Sequence, residues 1–161
     1  VARVVAVKGR DARSPIPILL ADQEMLNTVV AEIPAIAQRW IERFWPGPLT
    51  LVLKARRDLP PPLLNPEGGV GVRISSHPVA AEIVRRLGRP ITATSANPSG
   101  KDPAKTLEQA RAYFSGILGT FLDGGDLSGN IGSTVVEIDG NRWKIIRQGE
   151  IPSKVLEESL N

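Results

Sequence analysis

The chain has 161 residues, with 42% hydrophobic and 23% charged content, so one folded domain is favoured over disorder or a fibrous class. It holds no cysteine and a single histidine, His77, which excludes disulfides, thiolate nucleophiles, Cys-based metal sites and two-His metal centres. Its 20 basic and 17 acidic residues leave a net charge of +3, too small for a nucleic-acid coat but suited to an anionic substrate. No apolar run approaches the roughly 20 residues that span a bilayer. From Val1 onward there is no signal-peptide pattern, so a soluble, cytoplasmic protein is expected.

In chain order, Val4 to Val7 is short and apolar, and its periodicity fits a helix end or a strand. Arg10 to Pro15 reads as a loop, and Ile16 to Leu20 as a short strand in which Pro17 argues for an edge or a bulge. Asp22 is a plausible N-cap for a helix through Ile33, and Pro34 fits the first turn of a second helix, Ala35 to Phe44. Trp45-Pro46-Gly47-Pro48 stops it. Thr50 to Lys54 and Val70 to Ile74 are strands separated by a proline-rich surface loop, Pro60 to Pro66. Pro78 to Leu87 carries a helical apolar stripe and ends at Gly88. Ile91 to Thr94 is a strand, and Thr106 with Gln109 forms a capping-box pattern for a helix through Phe114. Thr120 to Leu122 reads as a strand entering a glycine-rich loop, Gly124 to Gly132. Thr134 to Ile138 and Trp143 to Ile146 form a hairpin about Asp139-Gly140-Asn141, and a last helix starts near Ser153. Alternating strands and helices with a late hairpin predict an α/β fold, a twisted, open mixed sheet flanked by helices.

Few groups offer chemistry. Lys8-Gly9-Arg10 sets two cations about a glycine, a pattern able to grip a phosphate, although taken alone it reads more readily as a solvated turn. Ser95-Ala96-Asn97 follows a strand end, where open α/β sheets bind ligands, although Ser and Asn also stabilise plain turns. Gly132-Ser133-Thr134 closes the glycine-rich loop, whose backbone N–H groups could face an anion; no Lys follows, so it is not a Walker A loop. Arg73 and Arg147 sit in or beside apolar strands, and alternation places Arg73 opposite Val72 and Ile74. An arginine so placed meets either solvent or an anion. His77 lacks a Gly-x-Ser-x-Gly partner and reads as structural. Trp40, Phe44 and Trp45 read as core.

Taken in order, Lys8-Gly9-Arg10, Trp45-Pro46-Gly47-Pro48-Leu49-Thr50-Leu51, Val72-Arg73-Ile74 with His77-Pro78, Ser95-Ala96-Asn97-Pro98-Ser99-Gly100, Gly132-Ser133-Thr134-Val135-Val136 and Ile146-Arg147-Gln148-Gly149 resemble the Sua5/YrdC/YciO family. The resemblance implies a YrdC-like sheet around a basic cavity, spanning residues 1–161 as one domain. It implies an L-threonylcarbamoyladenylate synthase, a nucleotidyltransferase that uses L-threonine, bicarbonate and ATP in tRNA N6-threonylcarbamoyladenosine modification. Lys8, Arg10, Ser95 and Asn97 match the family's Lys-x-Arg and Ser-x-Asn signatures and would be catalytic and ATP-binding, with Ser14, Pro103 and Arg147 joining the ATP site. Arg73, the backbone at Ala93, and Ser133 would lie on the threonine side. Mg²⁺ would arrive with ATP, with no metal site on the protein. A tRNA threonylcarbamoyl-transferase complex would act downstream, and RNA or tRNA could bind directly.

Family members also carry a Thr-containing segment upstream of Lys-Gly-Arg, and a His where this chain has Leu19. The chain is therefore expected to be N-terminally incomplete relative to the family, binding nucleotide while synthesising poorly. Two other readings stand beside this one. The first is a carbamoyl-adenylate-handling domain of the hydrogenase-maturation type; the second is an RNA-binding or ribosome-associated module.

Overall fold

The computed structural model of the chain describes residues 1–9 and 14–160. A six-stranded sheet runs in the order β4-β1-β3-β2-β5-β6, built from β1 (Ile18–Leu20), β2 (Leu49–Lys54), β3 (Gly69–Ile74), β4 (Ile91–Thr92), β5 (Thr134–Asp139) and β6 (Arg142–Arg147). The pairs β1–β3 and β2–β5 are parallel and the others antiparallel. The sheet is thus mixed, and the expected α/β class holds.

Alternation along the strands decides what each face does. Ile18, Leu20, Leu49, Leu51, Leu53, Val70, Val72, Val136 and Ile138 are buried on one face. They form one core with Leu26 of α2 (Gln23–Asn27), Ala37, Trp40 and Ile41 of α3 (Ala35–Phe44), and Leu156 of α6 (Ser153–Glu158). In α3 those residues recur at the spacing of a single helix stripe, so one side of the helix is buried. Trp40 is fully buried; its indole N–H donates to Ser159 Oγ at 2.8 Å, and its ring meets Trp143 edge-on at 5.3 Å. Between the core positions, Leu19, Val52, Arg73, Val135 and Glu137 point to the other face and are only half-buried. That second face carries the more polar side chains of the sheet.

Local chemistry accounts for most elements. Asp22 caps α2, its Oδ1 accepting the Met25 N–H at 2.7 Å. Thr106 caps α5 (Leu107–Phe114) by accepting the Gln109 N–H, while Gln109 Oε1 accepts from Lys105 N rather than from the cap itself. Gly88 ends α4 (Pro78–Leu87) at φ 66°, a left-handed conformation that most side chains resist. Val4 to Val7 lies within a helix, α1 (Ala2–Lys8).

Several expectations need correction. The helix from Asp22 does not reach Ile33; it ends at Asn27. Val30 instead bridges Ala55, and the Ala31 N–H donates to the Lys54 carbonyl, so the end of β2 captures this segment. β1 is not an edge strand: it lies between β4 and β3, with Pro17 one residue before its paired stretch. The strand at Ile91 is limited to two residues. Thr120 to Leu122 pairs with nothing and is irregular, with Leu122 65% exposed. The proline-rich connection folds as a 3-10 turn at Pro61–Leu63 and buries Leu63.

Candidate active site

The open face of the sheet carries the first cluster. Leu19 pairs with both Ile91 and Arg73, and Thr50 and Arg147 both pair with Val135. Leu19, Arg73, Thr50, Val135 and Arg147 therefore lie along one band on the same side of the strands. Arg147 donates through Nη2 to the Ser133 carbonyl at 2.8 Å and to Ser133 Oγ at 3.2 Å, and Ser133 Oγ shares a 2.8 Å hydrogen bond with Thr50 Oγ1. Ser133 and Thr50 are both buried, so this hydroxyl pair is held out of bulk water.

Arg73 sits nearby with an anomaly. Its Nε is buried and has no hydrogen-bond partner among the described residues, a costly condition for a charged donor. Burial holds its guanidinium below the ordinary arginine value; Glu150 acts in the opposite direction, and Arg147 adds a further lowering. The expectation that alternation turns Arg73 away from Val72 is met: Val72 is in the core and Arg73 is half-buried on the open face. Two guanidinium groups near each other, one of them incompletely partnered, have the chemistry to pair with an anion.

The second cluster is a knot. Lys8, only 6% exposed, donates through Nζ to the carbonyls of Ser95 and Asn97 at 2.6 Å each, and to Asn97 Oδ1 at 3.0 Å. Ser95 Oγ donates to the same Oδ1 at 2.6 Å, and Asn97 Nδ2 donates to the Lys101 carbonyl at 2.5 Å. Ser99 N–H returns to the Lys8 carbonyl. The structure thus brings Lys8, Ser95 and Asn97 together, and these bonds direct the Lys8 ammonium at the loop backbone. A solvated basic turn is not what Lys8 forms. Its charge remains close to anything bound at Ser95.

Other expected site residues are more dispersed. Arg10 lies outside the described residues. Ser14 is half-buried just before β1. Ala93 donates its N–H to the Pro17 carbonyl at 2.8 Å, fastening the chain ahead of Ser95 to the start of β1. Pro103 is exposed, and with Asp102, Lys105, Gln109, Ala112 and Tyr113 it lines a groove of about 600 Å³ along α5, apart from the Arg73 cluster. His77 Nε2 is 3.0 Å from the Gly124 carbonyl and ties the helix start at Pro78 to the glycine-rich loop. Among the described residues there is no group of three or more His, Asp and Glu able to hold a metal ion.

Sequence reasoning missed Thr50, Thr134 and Gly149 as parts of this wall. Thr50 and Thr134 stand in strands and look like ordinary β-formers, so only their hydrogen-bond partners distinguish them.

A mixed α/β sheet with Arg73 and Arg147 on one face and a Lys–Ser–Asn knot beyond the end of β4 places the chain among α/β domains. The Sua5/YciO/YrdC family profile, described as telomere recombination, matches residues 1–149. The chain belongs to that family. It is 34% identical over 160 residues to the threonylcarbamoyl-AMP synthase of Pyrococcus abyssi, covering 99% of this chain and 47% of that protein. A putative threonylcarbamoyl-AMP synthase of Mycobacterium tuberculosis is 33% identical over 160 residues, with 99% and 73% coverage. The crystal structure of P. abyssi Sua5 complexed with L-threonine superposes with a TM-score of 0.93 at 33% identity, over 99% of this chain and 47% of that one. The chain spans about half the length of this archaeal relative.

Proposed function

We propose that this chain carries the site at which L-threonine, bicarbonate and ATP are joined into L-threonylcarbamoyladenylate with release of pyrophosphate, for modification of tRNA. The observation that carries the reading is the buried, unpartnered Arg73 Nε on the open face beside Arg147 and Ser133. A free carboxylate is the natural partner for that guanidinium, because a bidentate pair supplies the missing acceptor. The archaeal relative's complex with L-threonine supports an amino acid as a substrate.

The chemistry asks for little more than positioning and neutralisation. The threonine amine takes up bicarbonate with loss of water to give a carbamate; a carbamate oxygen attacks the α-phosphorus of ATP, and pyrophosphate leaves. Arg147, on the rim of Ser133, faces the developing phosphate charge, and the Lys8 charge behind the Ser95–Asn97 loop supports the triphosphate. Held between these groups, the carbamate and the phosphorus react as neighbours rather than as solutes meeting by diffusion. Magnesium travels with ATP as part of the substrate. The product passes to an enzyme that transfers the threonylcarbamoyl group to tRNA.

The test is pyrophosphate release with ATP and bicarbonate, with and without L-threonine, alongside ATP binding by calorimetry. Threonine-dependent release above background is expected. ATP binding with no response to threonine would overturn the amino-acid assignment, and a salt-sensitive RNA affinity without any ATP binding would favour an RNA module.

A further inference from the structure

We propose that Thr134 is a positioning residue that sets the anion-binding wall by acting through Ser133 and Arg147. Its side chain points away from the open face into the core, and the residue is fully buried. Its hydroxyl donates to the Ile151 carbonyl at 2.7 Å and accepts the N–H groups of Gly149 at 3.0 Å and Ile151 at 3.1 Å. One oxygen thereby satisfies three backbone groups of the segment that follows β6. Glu150 N–H adds a bond to the Gly132 carbonyl at 3.0 Å. The approach is so close that a Cβ on Gly149 would stand 2.3 Å from the Ser133 carbonyl carbon and 2.4 Å from Thr134 N. Only glycine fits there.

The segment fastened in this way begins two residues after Arg147, and the backbone it is fastened to carries Ser133, to which Arg147 donates. The guanidinium is exposed and borne on a long flexible stem. Without the fastening, both ends of the Arg147–Ser133 contact could drift. A buried hydroxyl that touches no substrate thus determines where a ligand-facing arginine stands.

The inference rests on the proposed nucleotide reading, and its test separates the two. ATP affinity and thermal midpoint are measured for wild type, Thr134→Val, Thr134→Ser, Arg147→Ala and the Thr134→Val/Arg147→Ala double variant. Thr134→Val keeps the shape and loses the hydroxyl, so ATP should bind about tenfold more weakly. Thr134→Ser should stay within about twofold of wild type, and Thr134→Val should add less than about twofold in the Arg147→Ala background. An equal loss in both backgrounds means a general structural role and overturns the proposal. Unchanged affinity in Thr134→Val while Arg147→Ala binds weakly overturns the proposal alone. Unchanged affinity in Arg147→Ala overturns the nucleotide reading itself and the proposal with it. Should Thr134→Val fail to fold, Gln148→Ala tests the same segment, because Gln148 Nε2 donates to the carbonyls of Gly149 and Ile151. A loss of about threefold, absent when Arg147 is Ala, is then expected. No loss overturns the proposal.

Discussion

The two polar clusters differ in how completely they satisfy themselves. In the Lys8–Ser95–Asn97 knot the polar groups are met by protein atoms: the ammonium has three oxygen acceptors in reach, and Asn97 uses both ends of its amide. The Arg73–Ser133–Arg147 wall stays open, with one buried nitrogen lacking a partner. Lys8 is buried and Arg73 has one buried nitrogen, yet a fully partnered network contributes to folding whereas an incompletely partnered one keeps hydrogen-bond capacity. Proximity to a site does not separate these roles; the remaining hydrogen-bond capacity does.

The contrast can be broken from either side. Removing Lys8 should have the largest effect, because three oxygens 87 and more residues away lose their donor. Lys8→Met is expected to lower unfolding free energy by about 3 kcal/mol, read from the denaturant midpoint at unchanged slope. A loss below about 1 kcal/mol would mean that water replaces the ammonium at little cost. On the wall, Thr50→Val deletes the partner of Ser133 Oγ and should cost about 1 kcal/mol, a fall of roughly 2–4 °C in thermal midpoint. Arg73→Met should move stability by less than about 1 kcal/mol, in either direction, since it also removes a poorly solvated charge. A loss as large as that of Lys8→Met would mean that Arg73 belongs to the scaffold.

The smallest effect lies away from both clusters. Glu82 is held below its ordinary value of 4.5 by hydrogen bonds from Arg85 and Arg86 on exposed α4. Its contribution is present above that ordinary value and is lost as pH falls through the lowered one. Wild type should exceed Glu82→Gln slightly at neutral pH and low salt, and the gap should close in acid and in high salt. A gap that survives both treatments would rule out the ion pair as its source.

Much of the architecture could be read from the chain because local signals agreed with the tertiary outcome. α4 had an apolar stripe ending at Gly88, Asp22 and Thr106 were caps, and the late hairpin had its turn at Asp139-Gly140-Asn141. The errors came where partners distant in sequence decided. Leu26, Val29 and Val30 have helical spacing, but Val29 accepts a hydrogen bond from Arg56 and Val30 bridges Ala55, so the helix is cut short. Phe121 has β-propensity without a neighbouring strand and packs near Arg111 instead. The site followed the same rule. Alternation was enough to turn Arg73 outward, whereas the burial of Lys8 depended on a loop almost ninety residues further on. Thr134 was visible only as one letter of Gly132-Ser133-Thr134, since a hydroxyl's partners cannot be inferred from its own sequence position.

The central claim is the proposal that Arg73 pairs with the carboxylate of the amino-acid substrate. Calorimetric titration of L-threonine into wild type and Arg73→Met, with folding of both checked by thermal unfolding, addresses it most directly. The account predicts binding to wild type and an affinity at least about tenfold weaker in the variant, the consequence of losing a charge-assisted pair. Equal threonine affinity in two equally folded proteins would contradict it.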